Sequence, residues 1–175
     1  VRVSVPAILR RLSKRPSENM ENQACPCQSA LSYAECCRPL HAGAPAADAL
    51  ALMRSRYAAY VLQLAGYIVQ TTVPAQQGLL DTAAIAAWSR ETRWLGLEIR
   101  GFRNVGTRHA QVEFAAFYAG ADGTRQAHHE LSAFVRTGGC WYFIDPTVSL
   151  PAAQSPCFCG SGRKFKVCCG RFFRA

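Results

Sequence analysis

Eight of the nine cysteines in this 175-residue chain fall into two copies of one spacing. Cys157 and Cys159 are followed, after eight residues, by the adjacent pair Cys168 and Cys169. Cys25 and Cys27 are followed, after Gln28 to Glu35, by Cys36 and Cys37. Four thiols so spaced suit a closed tetrahedral zinc site. In C-x-C, alternate side chains of an extended segment reach one ion after a tight turn, and the adjacent cysteines complete the set. All four positions are then filled by protein, so both predicted Zn2+ ions are structural, with no place for water or substrate. A disulfide scaffold is the weaker alternative. A vicinal disulfide closes a strained ring, and such scaffolds belong to small secreted domains. The long middle of this chain holds only Cys140. Reduced thiols place the protein in the cytoplasm.

The two copies differ in what surrounds the thiols. The second carries Gly160, Ser161 and Gly162 in its turn, then Arg163, Lys164 and Lys166. It reads as a partner-binding module. The first has Gln28, Ser29 and Ala30 at the turn and Arg38 nearby. It reads as a structural clip on the body. Ser32 is placed to cap a short helix leading to the cysteine pair, and Ser161 to cap the turn that follows it.

Outside the cysteines the chemistry is sparse. His128, Glu130 and Ser132 share one face of a strand at period two. With Arg54 and Arg56 they form a possible pocket wall, with Glu130 as a base. The blander reading pairs Glu130 with Arg54 or Arg56 as a structural ion pair. His41 and His109 carry no pattern, and Cys140 reads as a small buried side chain. Trp88, Trp94 and Trp141 read as core. No phosphate loop, nucleophile elbow or paired-carboxylate signature is present, so no catalytic residue is assigned and the chain is not expected to be an enzyme.

The elements that must position these groups follow in order. Residues 20–43 form the first cysteine module. Residues 44–150 form the body, opening with a helix from Ala44 to about Thr72 divided near Gly66. Leu50, Met53, Tyr57, Tyr60, Val61 and Leu64 give it an apolar stripe. Gln76 to Gly78 reads as a loop. Asp81 or Thr82 caps a third helix running to about Glu91. From Trp94 the pattern alternates, and Gly-containing turns at Asn104–Thr107, Gly120–Gly123 and Gly138-Gly139 divide it into four strands. Helices followed by antiparallel strands imply an α+β fold with the sheet curled over the helices. Residues 151–175 are a linker and the second module.

The net charge of +9 sits on the two ends. Residues 1–19 hold five basic residues and one acidic, residues 155–175 five basic and none acidic, and the stretch between them balances at ten each. That argues against a broad nucleic-acid-binding face on the body. Residues 1–19 are expected to be a disordered basic tail, with Met20 a candidate natural start. No stretch approaches the ~18 consecutive apolar residues of a membrane span.

The run Pro156 to Cys169 resembles the SEC-C motif, the zinc-binding tail of the SecA translocation ATPase, which contacts the SecB chaperone and the ribosome. Cys25-Pro26-Cys27, Leu52 to Tyr57, Trp94 to Leu97, Glu130 to Phe134 and Trp141 to Asp145 make residues 20–170 similar to the bacterial YchJ-like family of SEC-C proteins. The resemblance implies an NTF2-like middle, a cone of three helices on a bent antiparallel sheet, between two zinc knuckles. It implies a zinc-binding interaction protein with an acidic SecB-like or ribosome-associated partner. The alternatives are a small-molecule-binding or enzymatic cone, and RNA binding through the basic C-terminal knuckle.

Overall fold

The computed structural model describes residues 23–173, so the expected basic tail and the candidate start lie outside the described residues. A short helix α1 (Cys37–His41) leads into the body helices α2 (Ala49–Val61) and α3 (Ala65–Gln70). A helical turn α4 (Pro74–Gln77) and the helix α5 (Thr82–Glu91) follow. Four strands complete the body: β1 (Trp94–Val105), β2 (His109–Ala119), β3 (Arg125–Thr137) and β4 (Cys140–Ile144). They form one antiparallel meander in the order β1-β2-β3-β4. The α+β expectation holds.

The caps are those the sequence offers. The Asp48 carboxylate accepts from Ala51 N at 2.7 Å, and Asp81 accepts from Ala84 N at 2.9 Å. Each satisfies a backbone donor that has no partner within its helix. The first helix ends at Val61 rather than running to Gly66, because Gln63 turns left-handed with φ +58°. The expected loop at Gln76 is instead the turn α4, with Pro74 in its first helical position. There the buried Gln76 amide pairs with both the N–H and the C=O of Asp145, fastening α4 to the end of β4.

Helix α2 is the centre of the packing. Ala49, Leu52, Met53 and Tyr57 meet Leu97, Val112, Phe114, Phe134 and Trp141 of the sheet. Its other side carries Ala58, buried among Cys25, Cys27, Tyr33 and Cys37 of the first module. A third cluster joins Val73, Ala133, Val135 and Ile144 to Cys157, Cys159, Phe165, Cys168 and Cys169. Each cysteine module therefore shares a hydrophobic core with the body. Two irregularities bend β1, between Trp94 and Gly96 and between Ile99 and Gly101, and such bulges curve a sheet. Trp141 is buried and Trp94 half-buried, but Trp88 is 43% exposed, so the expectation of three core tryptophans fails at Trp88. Cys140 is half-buried rather than buried.

Candidate functional site

The two cysteine modules fold alike. In the first, Ala24 bridges Ser32, Cys25 N donates to Leu31 O at 2.8 Å, and Gln28 N to Cys25 O at 3.0 Å. In the second, Pro156 bridges Lys164, Cys157 N donates to Arg163 O at 2.8 Å, and Gly160 N to Cys157 O at 3.2 Å. Both turns need two left-handed residues. Gly160 and Gly162 supply them with φ +71°, and Gln28 and Ala30 adopt φ +59° and +67° at the matching positions. The intervening serine does the same work twice: Ser29 Oγ lies 3.1 Å from Cys36 Sγ, and Ser161 Oγ 3.2 Å from Cys168 Sγ. Ser161 Oγ also accepts from Arg163 N at 3.3 Å, within the turn that follows it. Helix α1 begins at the cysteine pair instead of ending there, and the second module has only 3-10 turns, Phe165–Val167 and Cys169–Phe172. Ser32 does accept from Glu35 N, at 3.3 Å, within a turn.

The Sγ atoms of Cys25, Cys27, Cys36 and Cys37 lie within 4.8 Å of one another, a donor set that fits a metal ion. The thiols share charge unequally. Hydrogen bonds from Cys25 and Cys37 hold the Cys27 thiol far below its usual range, while the bond to Cys27 pushes Cys25 up to about 12 and bonds to Cys25 and Cys27 push Cys37 up further. Charge is thus favoured on Cys27 over Cys25 and Cys37, and an arriving cation favours the ionised form of all its thiol ligands.

At the second module, ligand atoms of Cys159, Cys168, Cys169 and His109 lie within 4.8 Å of one another. Burial pushes up the thiols of Cys157 and Cys169. Burial also opposes ionisation of Cys159, but the Ser161 hydroxyl and the thiols of Cys157 and Cys168 outweigh it and bring Cys159 down to about 7. His109 is a residue that no sequence signal selects. It stands far from the motif in the chain, and only the sheet register, which sets it opposite Val135, brings it to the cluster.

Both modules are held to the body at equivalent atoms. Arg54 Nη1 donates to Cys27 O at 2.8 Å. Arg108 Nη2 and Thr137 Oγ1 donate to Cys159 O at 3.3 and 3.1 Å. The first module adds Gln28, whose Oε1 accepts from Leu97 N at 3.1 Å. Its side chain lies over Gly96, where a Cβ would come within 2.8 Å of Gln28 Nε2. His41 completes this contact, with Nδ1 2.8 Å from Tyr33 Oη and Nε2 2.9 Å from Ser55 O. Its ring nitrogens thus link the module to α2. On the second module Arg163 and Lys164 are exposed and Lys166 is half-buried.

Between helices and sheet lies a cavity of ≈ 490 Å³. Tyr57, Tyr60, Ile85, Trp94, Phe114 and Phe143 give it apolar walls, and Arg56, His128, Glu130 and Ser132, with Asp81, Asp145 and Thr147, supply its polar groups. Arg54 is not among its lining residues. The suggested ion pair between Glu130 and an arginine is also absent. Glu130 is instead 3.0 Å from His128 Nε2 and accepts from Ser132 Oγ at 2.5 Å. Arg56 is 6% exposed, and among the described residues it meets no carboxylate at ion-pair distance. Its Nη1 donates to Ile68 O, Thr71 Oγ1 and Thr72 Oγ1, and its guanidinium lies 4.4 Å from the Phe143 ring centre. Burial lowers its pKa. Trp94 Nε1 is buried with no hydrogen-bond partner among the described residues.

A helical layer on a curved four-stranded meander, flanked by two compact thiol clusters, defines an NTF2-like protein with paired metal-binding modules. Residues 48–146 match the family described as YchJ, middle NTF2-like domain, and residues 22–39 and 155–171 match the SEC-C motif. The chain belongs to this YchJ-like family. It is 50% identical over 150 residues to a UPF0225 protein of Actinobacillus succinogenes, covering 85% of this chain and 97% of that one. A UPF0225 protein of Haemophilus influenzae is 50% identical over 155 residues, covering 88% and 94%. The crystal structure of a SEC-C motif containing protein from Psychrobacter arcticus is similar, with TM-score 0.83 and 46% identity over 88% of this chain and 99% of that one. The solution structure of a SEC-C motif containing protein from Rhodopseudomonas palustris gives TM-score 0.65 and 41% identity over 70% and 96%. None of these names states a reaction. Among the described residues, no helix is long and apolar enough to cross a membrane.

Proposed function

We propose that this protein binds a small amphipathic ligand inside its NTF2-like cone, and that its two modules hold structural zinc ions that fix the ends of the body. The observation that carries this is the cavity itself, lined by a buried Arg56 whose guanidinium meets no carboxylate at ion-pair distance among the described residues. A buried cation that Asp145 and Glu130 reach only at longer range is costly. A ligand with an apolar, ring-sized body and an anionic group relieves that cost. Leu79 and Trp88 also line the cavity and are 54% and 43% exposed, which suits an entrance. The reading is one of binding: Glu130 is engaged by Ser132 and His128.

The test uses 1-anilinonaphthalene-8-sulfonate, an aromatic anion, as the probe. Saturable fluorescence enhancement is expected with Kd on the order of 10 μM. Arg56→Met is expected to weaken it roughly tenfold, about 1.4 kcal/mol. Ala84→Trp, which places bulk in the cavity lining, should abolish it. Binding that both variants leave unchanged would sink the reading.

A second reading keeps the C-terminal module as a contact for an acidic protein surface such as a SecB-like or ribosome-associated partner. It is favoured by the exposure of Arg163 and Lys164 beside Val167, which is 53% exposed. Phe165 is buried with its ring 5.6 Å from that of Phe158, so it offers no free face to a base, and RNA binding is the weaker idea. Because the module shares its core with the body, charge reversal at Arg163 and Lys164 tests contact more cleanly than truncation.

A further inference from the structure

All three hydrogen bonds of the Arg56 side chain leave from one nitrogen. Nη1 donates to Ile68 O at 2.8 Å, Thr71 Oγ1 at 2.7 Å and Thr72 Oγ1 at 3.3 Å. Nε and Nη2 make none among the described residues. The Nε–H and Nη2–H bonds of a guanidinium run side by side, and the pair matches the two oxygens of a planar carboxylate. Arg56 lines the cavity and is only 6% exposed. A guanidinium does not shed its proton, so the cavity wall carries a permanent cation. The carboxylates of the lining have other partners. Asp81 accepts from Ala84 N, Asp145 from Thr147 N and Oγ1, and Glu130 from Ser132 Oγ while facing His128. Among the described residues none of them reaches Arg56 at ion-pair distance.

We propose that the ligand of the cavity is a monocarboxylate with an apolar ring, its two oxygens held side-on by Nε and Nη2 of Arg56. This rests on the reading of the cavity as a binding site and names the group that Arg56 takes there. Charge selects a monoanion. Among the described residues Arg56 is the one arginine or lysine in the lining, so one negative charge is what it can offset. A phosphate monoester brings about 1.5–2 negative charges to a wall that already holds Asp81, Asp145 and Glu130. The excess would stay unpaired in an apolar space. Shape selects against a neutral amide, which has one acceptor for two donors. The remaining volume of the ≈ 490 Å³ cavity, walled by Tyr57, Tyr60, Trp94 and Phe114, takes the ring.

The test is isothermal titration of the full-length protein with 1-naphthoate, 1-naphthamide and 1-naphthyl phosphate. Naphthoate is expected to bind, and the amide and the phosphate each to be weaker by roughly tenfold or more. Arg56→Lys keeps the charge and loses the fork, so it should weaken naphthoate by roughly tenfold and leave the amide unchanged. The comparison of probes needs no variant, so it decides even where Arg56→Lys fails to fold. Naphthoate and naphthamide that bind alike overturn the proposal. So do a phosphate that binds more tightly than naphthoate, a folded Arg56→Lys protein with unchanged affinity for naphthoate, and a naphthoate that fails to bind where 1-anilinonaphthalene-8-sulfonate binds. The cavity reading survives each of these results. If neither the sulfonate nor naphthoate binds, the cavity reading itself falls, which distinguishes that failure from this one.

Discussion

The same turn is built twice from different residues, and the difference has a local reason. Gly160 accepts a left-handed φ without strain, whereas Gln28 at the matching position takes it at a cost of about 1–2 kcal/mol. What offsets that cost is the Gln28 side chain, which covers Gly96 and accepts from Leu97 N. A glycine at Gln28 would relax the turn and lose this contact with β1. Ala30 has no such compensation: it is exposed, with φ +67°, and no side-chain contact requires the methyl group. Ala30→Gly is therefore expected to stabilise the metal-loaded protein by about 0.5–1 kcal/mol, the left-handed penalty less the added chain entropy of glycine. Thermal melting of the pair of proteins checks it, and a lower melting temperature for Ala30→Gly would refute the account of the turn.

At the scale of elements, each module is packed into the body rather than tethered to it. Removing residues 155–175 would expose Val135 and Ile144, both at 0% exposure, along with Ala133 and Val73. Uncovering these side chains should cost the truncated body several kcal/mol at ~25 cal/mol per Å². Its urea midpoint is expected to fall well below that of the whole chain, and an unchanged midpoint would mean the shared core contributes little. The meander and the helix caps were legible in the sequence because alternation, Gly-rich turns and Asp48 and Asp81 are local signals. The docking was not. Ser55 and Ala58 on α2 give no hydrophobic periodicity, yet their small size is what lets a module and α3 approach the helix. Arg54 and Arg56 are two residues apart on one helix, and so point in different directions. One caps Cys27 O and the other faces the cavity, which the sequence reading, placing both in a pocket wall, did not separate. His41 and His109 escaped notice for the same reason, since each acts on groups distant in the chain.

For the whole molecule, metal, protons and fold are linked. In the metal-free first module the hydrogen bonds among the thiols hold Cys25 and Cys37 up and Cys27 down, so protons reside preferentially on Cys25 and Cys37. An ion binding there must displace those protons. The sign follows: lowering the pH favours the protonated, empty module, and raising it favours the loaded one. Zinc affinity of the first module should thus fall as the pH is lowered, by at least a factor of about 10 per pH unit near neutrality, as read by competition with a chelator of known affinity in a Cys168→Ser/Cys169→Ser protein. His41 adds to this in the same direction. Burial holds its pKa below the ordinary histidine value, so its contribution to stability is present above about 6.5 and is lost as the pH falls below it. Protonation removes the acceptor that the Tyr33 hydroxyl uses at Nδ1. Because both modules share cores with the body, chelation should do more than empty two sites. Added EDTA is expected to lower the melting temperature of the body, followed by the near-ultraviolet signal of Trp94 and Trp141, and to do so more steeply at pH 6 than at pH 8. If the tryptophan transition is the same with and without metal, the modules are accessories to a self-sufficient cone. If it shifts, the ions are part of what keeps the cavity walls in place.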